Sequence, residues 1–361
     1  MKGIIIGGGI IGLSIARELF KKGIEITVID KDMIGKGASW VAGGMLAPQA
    51  EGLEKGDFLN LCLESREIYK EYAEGIQKET GKDVGYWECG IFVPVFSERE
   101  KEERLNQLKL YKEIGLTGQW LDRKEIEDRY ISLGDELLGG IFYPDDGQVD
   151  NRLIMSALES YVRSRDFVVL EKTEVKQIVS HNGNFQYIKT NKGNLEGDFC
   201  VVCAGAWSGE IFDVPVFPIK GEMAAVDVNQ DDIDTVFFGS KAYLIPRKNY
   251  DRLVIGATEE KVGFKEGNSV KGTLQLLNGL VETLPHMKNR NVQELWFGYR
   301  PATPDLEPIL GESHIKNVYL ATGHHRNGIL LAPITTKLIS ELITEGKKSE
   351  YLDKFSFNRF V

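Results

Sequence analysis

The residues best placed to do chemistry begin at the seventh position. Gly7-x-Gly9-x-x-Gly12 has the spacing of a turn that brings backbone against a pyrophosphate. The first glycine permits the tight turn, the second the close approach, and the third lets the following helix pack on its strand. Ile10 and Ile11 sit inside the turn, where the free N–H groups of a helix N-terminus would face the phosphates. Such a pattern is weak alone and gains meaning from its surroundings. Here an apolar run, Gly3 to Ile6, precedes it, and Leu13, Ala16, Leu19 and Phe20 follow at helical spacing. The alternating stretch Ile24 to Ile29 then ends in Asp30, with Lys31 beside it, eighteen residues beyond Gly12. An acid there is placed to bind ribose hydroxyls, so the unit reads as strand, turn, helix and strand built for a dinucleotide. Asp30 also argues against a nicotinamide cofactor with a 2′-phosphate, since two negative groups would then meet.

Two further segments favour a flavin. Gly37 to Pro48 is rich in small residues, with Ala38, Ser39, Gly43, Gly44 and Met45 able to run close to a pyrophosphate and an isoalloxazine ring. Far downstream, Gly323-His324-His325-Arg326-Asn327-Gly328-Ile329-Leu330 forms a second glycine turn before the closing helix, whose N-terminus would stabilise negative charge at one end of that ring. Arg300 offers a planar fork for a carboxylate, against the plainer reading of a structural salt bridge. Cys200 and Cys203 form a C-x-x-C, but they belong to the apolar run Phe199 to Cys203. That run reads as a buried strand, in which positions three apart face opposite ways. No second cysteine pair and no cluster among the five histidines supports zinc, so no metal is expected.

The whole chain supports these elements. Its 361 residues carry 44 basic and 54 acidic side chains, a net charge of −10, which speaks against a general nucleic-acid binder. With 42% hydrophobic and 27% charged residues it is an ordinary globular chain, long enough for about two domains. There is neither a recognisable signal peptide nor a run of ~18 apolar residues, so a cytoplasmic protein without stable membrane insertion is expected. Phe58 to Gly81 has the spacing of one long amphipathic helix, and Glu98 to Arg129 that of a solvated helical face carrying Leu105, Leu108 and Ile114. Tyr143 to Gly147 is a turn, and Asp150 caps a helix from about Asn151 to Ser164. Strands dominate Phe167 to Gly205 and Val214 to Thr258; helices are expected at Lys271 to Leu284 and, after the strand Val318 to Ala321, at about Ala332 to Thr344.

The glycine segments, together with Cys203-Ala204-Gly205-Ala206-Trp207-Ser208, resemble the D-amino acid oxidase family of FAD enzymes, above all its glycine-oxidising branch of thiamine biosynthesis. Gly147-Gln148-Val149-Asp150, Pro218 to Glu222, Tyr243 to Arg247, Gly256-Ala257-Thr258 and Gly298 to Pro301 extend the likeness along nearly the whole chain. The resemblance implies an α/β fold: a discontinuous, doubly wound FAD domain (1–85, 142–218, 296–361) interleaved with a β-rich α+β substrate domain (86–141, 219–295). It implies FAD as cofactor, with Val175 near the adenine and Ala204, Gly205 and Trp207 along the cofactor. Arg300 would grip a substrate carboxylate, Tyr243 would hydrogen-bond to it, and Arg326 would lie near substrate and flavin. Where the glycine-oxidising branch has a His and a Met in the pocket, this chain has Lys241 and Glu259, which either pair with one another, the favoured reading because a lone buried charge is costly, or present their charges to a charged or polar group of the substrate. The implied reaction is oxidative deamination of glycine, sarcosine or a small D-amino acid to a 2-oxo acid, ammonia and hydrogen peroxide. Molecular oxygen would be the acceptor and a homo-oligomer, by resemblance a tetramer, the assembly. A dehydrogenase of D-amino or N-methyl amino acids with another acceptor, and more remotely an RNA-acting or structural flavoprotein, are the alternatives.

Overall fold

In the computed structural model, described for residues 1–128 and 132–361, two sheets carry the chain. The first has six strands in the order Ile309–Glu312, Val318–Thr322, Phe199–Val202, Lys2–Ile6, Glu25–Ile29, Val168–Leu170. All neighbours are parallel except the first pair. A parallel sheet must be covered on both faces, and its residues show it. Ile5 and Val201 pack with the helices Ile10–Lys21, Asn151–Arg163 and Gly328–Glu345, while Ile4, Ile6 and Val202 pack on the opposite side under the small sheet of Val175–His181, Asn184–Thr190 and Gly193–Glu196. The same alternation separates the C-x-x-C: Cys200 lies in one apolar cluster and Cys203 in the other, both as free thiols.

The second sheet has eight strands: Val292–Ala302, Phe217–Val226, Leu253–Gly256, Tyr243–Pro246, Val236–Phe238, Ile91–Val95, Gly139–Tyr143 and Gln119–Asp122. Leu276 and Leu280 of the helix Val270–Thr283 cover one face, against Ala224, Leu244 and Ile255. The other face, with Met223, Ile245 and Val254, packs on Ala47, Ala50 and Leu59 from the segment that leaves the first sheet. The chain therefore crosses between sheets repeatedly, and the strands Phe217–Val226 and Val292–Ala302 run unbroken through residues 218–219 and 295–296.

Three elements differ from their sequence patterns. Phe58 to Gly81 is two helices, Asp57–Glu67 and Tyr69–Thr80, jointed at Ile68, whose ψ of 0° departs from helical geometry. Glu98 to Arg129 is a helix only over Glu98–Glu113. Gly115, at φ +84°, ends it, the strand Gln119–Asp122 and the short helix Arg123–Glu127 follow, and Arg129 lies outside the described residues. The closing helix starts at Gly328, four residues early, and tolerates Pro333 inside it because Ile329, Leu330, Leu331 and Ile334 are buried in the core on either side. Among the described residues no helix is long and apolar enough to cross a membrane.

Candidate active site

A cavity of about 560 Å³ opens where both sheets contribute to one wall, and most of the residues singled out above line it. At one end the first turn fits its geometry closely. Gly7 has φ +111°, and a side chain there would collide with the Cys203 carbonyl; one at Gly12 would collide with the Gly7 carbonyl. The Asp30 carboxylate accepts from the Gly8 N–H at 2.8 Å and from the Asp32 N–H at 2.9 Å, yet burial still pushes its pKa up. Ser39 Oγ accepts the Ile10 N–H at 3.0 Å, binding the helix start to the small-residue segment. Lys31 places Nζ 3.4 Å from the centre of the Trp207 ring, which stacks on Phe264. Thr173 and Val175 line this end as well.

The middle of the wall is backbone held from behind. Gly44, at φ +82°, lies against the Val149 carbonyl and donates no side chain, and Arg247 donates from Nη1 to the Gly43 carbonyl at 2.9 Å while its Nη2 reaches Asn151 Oδ1 at 2.7 Å. His325 takes up φ +46°, its N–H donating to the Pro301 carbonyl at 2.8 Å. His325 lines the cavity, while its Nε2 is buried and has no partner among the described residues. Burial lowers the pKa of both His324 and His325 to about 3, so they are neutral donors and acceptors near neutral pH. Gly12, Gly323, Asn327 and Leu330 lie behind the wall. Gly323 turns the chain at φ +74°, and Leu330 accepts from Ser65 Oγ at 2.6 Å through its carbonyl.

The far end is charged. Arg300, on the strand Val292–Ala302, donates from Nη1 to the Thr258 carbonyl at 3.0 Å and has no carboxylate within ion-pair distance among the described residues. Burial lowers its pKa and Arg326 adds to that, against Tyr243, Glu259 and Glu51. Tyr243 stacks on Phe238, ring centres 4.5 Å apart, and burial pushes its hydroxyl up. Arg326 pairs with Glu259 at 3.1 Å. Sequence reading missed Glu51, which accepts from Asn327 Nδ2 at 3.0 Å and whose pKa burial raises. An acid closing the small-residue segment was its only signal. Met223, Phe297 and Tyr299 were missed too.

The expected pairing of Lys241 with Glu259 is overturned. Lys241 binds Glu136 at 2.7 Å and Glu282 at 2.9 Å and is absent from the cavity wall. Its backbone packs on Gly279, so the chain turns toward the helix Val270–Thr283 before the strand Tyr243–Pro246 begins.

The residues present fit FAD: a glycine cradle for the pyrophosphate and a held carboxylate for the ribose. Fold and site together define a flavin oxidoreductase whose cavity is lined by two arginines, Arg300 and Arg326. The chain belongs to the FAD-dependent oxidoreductase family whose model, DAO, matches residues 3–342, and FAD is its cofactor. It is 39% identical over 365 residues to the "Bifunctional protein ThiO/ThiG" of Synechocystis sp., with 99% of this chain and 54% of that protein covered, so it spans about half the length of such relatives. It is 32% identical to the glycine oxidase of Geobacillus kaustophilus, covering 99% of this chain and 96% of that one. Crystal structures of glycine oxidase from G. kaustophilus (TM-score 0.94, 31% identity, 99% and 98% covered) and Bacillus cereus (0.91, 30%, 98% and 97%) share the fold.

Proposed function

We propose that this protein oxidises glycine or a similarly small amino acid to a 2-oxo acid and ammonia, passing the electrons to molecular oxygen, and that the product serves thiamine thiazole synthesis. The observation that carries this reading is Arg300: a desolvated guanidinium that, among the described residues, donates to one carbonyl and has no carboxylate partner, lining the same cavity as the dinucleotide cradle. Such a group needs an anion, and a substrate carboxylate meets its planar fork bidentately. The cofactor held in this cavity would supply the hydride acceptor for oxidation at the substrate α-carbon.

This chain's residues supply position and electrostatics. Arg300 fixes the carboxylate, and the Tyr243 hydroxyl, kept protonated by burial, donates a second hydrogen bond. Phe238 holds the Tyr243 ring by stacking. Gly43 and Gly44 give the cofactor room, and the helix Gly328–Glu345 begins at the cavity, with Gly328 and Ile329 in its lining, so that its positive end lies beside the bound group. Met223, Phe238 and Ala257 line the pocket beside Tyr243 and favour a short side chain. A cytoplasmic homo-oligomer, by resemblance a tetramer, and the interleaved division into FAD and substrate domains belong to the same proposal.

Anaerobic mixing of the yellow protein with glycine, sarcosine and small D-amino acids tests it. Flavin absorbance should bleach within the turnover time and return on admitting air, with peroxide released. Bleaching without reoxidation by air would make the enzyme a dehydrogenase. Failure of every amino acid to bleach the flavin would end the reading.

A further inference from the structure

The cavity holds two guanidinium groups in unequal states. Among the described residues Arg300 hydrogen-bonds to the Thr258 carbonyl and pairs with no carboxylate, whereas Arg326 is paired with the Glu259 carboxylate at 3.1 Å. One dipeptide, Thr258–Glu259, therefore touches both arginines, the first through its backbone and the second through its side chain. The geometry of Thr258 is fixed from behind: its hydroxyl accepts the Glu222 N–H at 2.9 Å and donates to Glu260 Oε1 at 2.8 Å. Glu51 also acts on Arg326, but its hydrogen bond is with Asn327, and Glu259 is the carboxylate within ion-pair distance of Arg326 among the described residues.

A substrate with one carboxylate requires one guanidinium. A substrate with two would find its second at Arg326 if that charge were free. We propose that Glu259 is a specificity-determining residue: it occupies Arg326 and so confines the pocket to amino acids bearing a single carboxylate. The inference rests on the reading of Arg300 as carboxylate anchor. Glu259 acts in two ways, neutralising the group that would attract a second anion and setting its own negative charge where that anion would lie. The side chains of the pair are 33% and 47% exposed, so the bridge adds little to stability and its removal leaves Arg326 accessible.

Binding of non-reactive anions to the FAD-loaded protein, followed by the shift in flavin absorbance, measures this without turnover. Acetate reports one carboxylate and malonate two. In Glu259→Gln the preference for malonate over acetate should rise at least about tenfold, the size expected when a charge-assisted bidentate contact is gained. The gain should vanish in Glu259→Gln/Arg326→Gln, which restores the original pocket charge. The kcat/KM ratio of iminodiacetate to glycine should move in parallel. Retained FAD checks each variant, with Glu259→Met standing in if the Gln form loses cofactor. An unchanged ratio in Glu259→Gln, or a gain that survives in the double variant, overturns the proposal alone. Acetate binding that persists in Arg300→Ala would overturn the anchor and the proposal with it.

Discussion

The guanidinium of Arg300 lies directly over Gly221, so near that a Cβ at 221 would come within 2.6 Å of Nη1 and 2.8 Å of Nη2. The two residues sit on neighbouring antiparallel strands, with Ile219 opposite Arg300 and Gly221 opposite Gly298. Gly298 clears space in turn for Val41, whose Cγ2 a Cβ at 298 would approach to 2.7 Å. Gly221 thus makes the floor on which the arginine rests, and Gly298 opposite it admits Val41. Gly221→Ala should tilt the guanidinium off its line, raising KM for carboxylate substrates about tenfold or more while FAD content stays unchanged. Steady-state kinetics on fully flavinated protein checks this, and an unaltered KM would mean the floor has slack.

Arg300→Ala removes the anchor itself. The expected loss is about 2–5 kcal/mol in kcat/KM, with the flavin still bound. Arg300→Lys should recover only part, because an ammonium cannot reproduce the planar fork. Near-normal efficiency of the Ala variant on any free amino acid would misplace the carboxylate site.

What the sequence displayed was what is local. Gly7, Gly9 and Gly12 with Asp30, and the turn from Gly323 to Gly328, announce themselves because their residue types and spacing lie within short stretches of sequence, even where the packing that requires them, such as the Cys203 carbonyl against Gly7, comes from far away. Glu51 and Arg247 were opaque as site residues for the opposite reason. Their roles arise only when Asn327 and Gly43, each more than 200 residues away, come into contact with them. Lys241 misled because two residues before a pocket-facing Tyr243 the strand has not yet begun, so strand alternation does not reach it. Periodicity likewise ran through Ile68 without showing the joint there.

Asp30 has two tasks, facing the cofactor cavity and holding the Gly8 N–H. Asp30→Ala should therefore weaken FAD retention both by losing the ribose partner and by loosening the turn. Asp30→Asn, which keeps an acceptor, should retain more. Flavin release during dilution gives the order, and the fully loaded variants should turn over as wild type. A turnover defect in saturated enzyme would contradict a role confined to cofactor binding.

Because Lys241 and Glu259 belong to separate ion pairs, their removal should be additive. Lys241→Met and Glu259→Gln are expected to combine within about 0.5 kcal/mol in both stability and kcat/KM. Coupling should appear instead between Lys241 and Glu282, and between Glu259 and Arg326. A strong Lys241–Glu259 interaction energy would show that the two side chains meet in solution.

His324 is buried and hydrogen-bonded through Nε2 to Thr335 Oγ1 at 3.1 Å, and burial takes its pKa from 6.5 down to about 3. Below 6.5 the unfolded chain protonates this ring while the folded protein does not, so the unfolded state binds more protons. Stability is therefore fully present above 6.5 and falls as pH drops toward 3. A His324→Gln variant lacks this titration. Wild type should lose about 2 kcal/mol relative to it between about pH 7.5 and about pH 5, measured by urea unfolding at equal FAD excess. His325 titrates in both proteins and cancels in the difference. Parallel stability curves would show that His324 charges freely in the folded state, and hence that water reaches the back of the flavin turn.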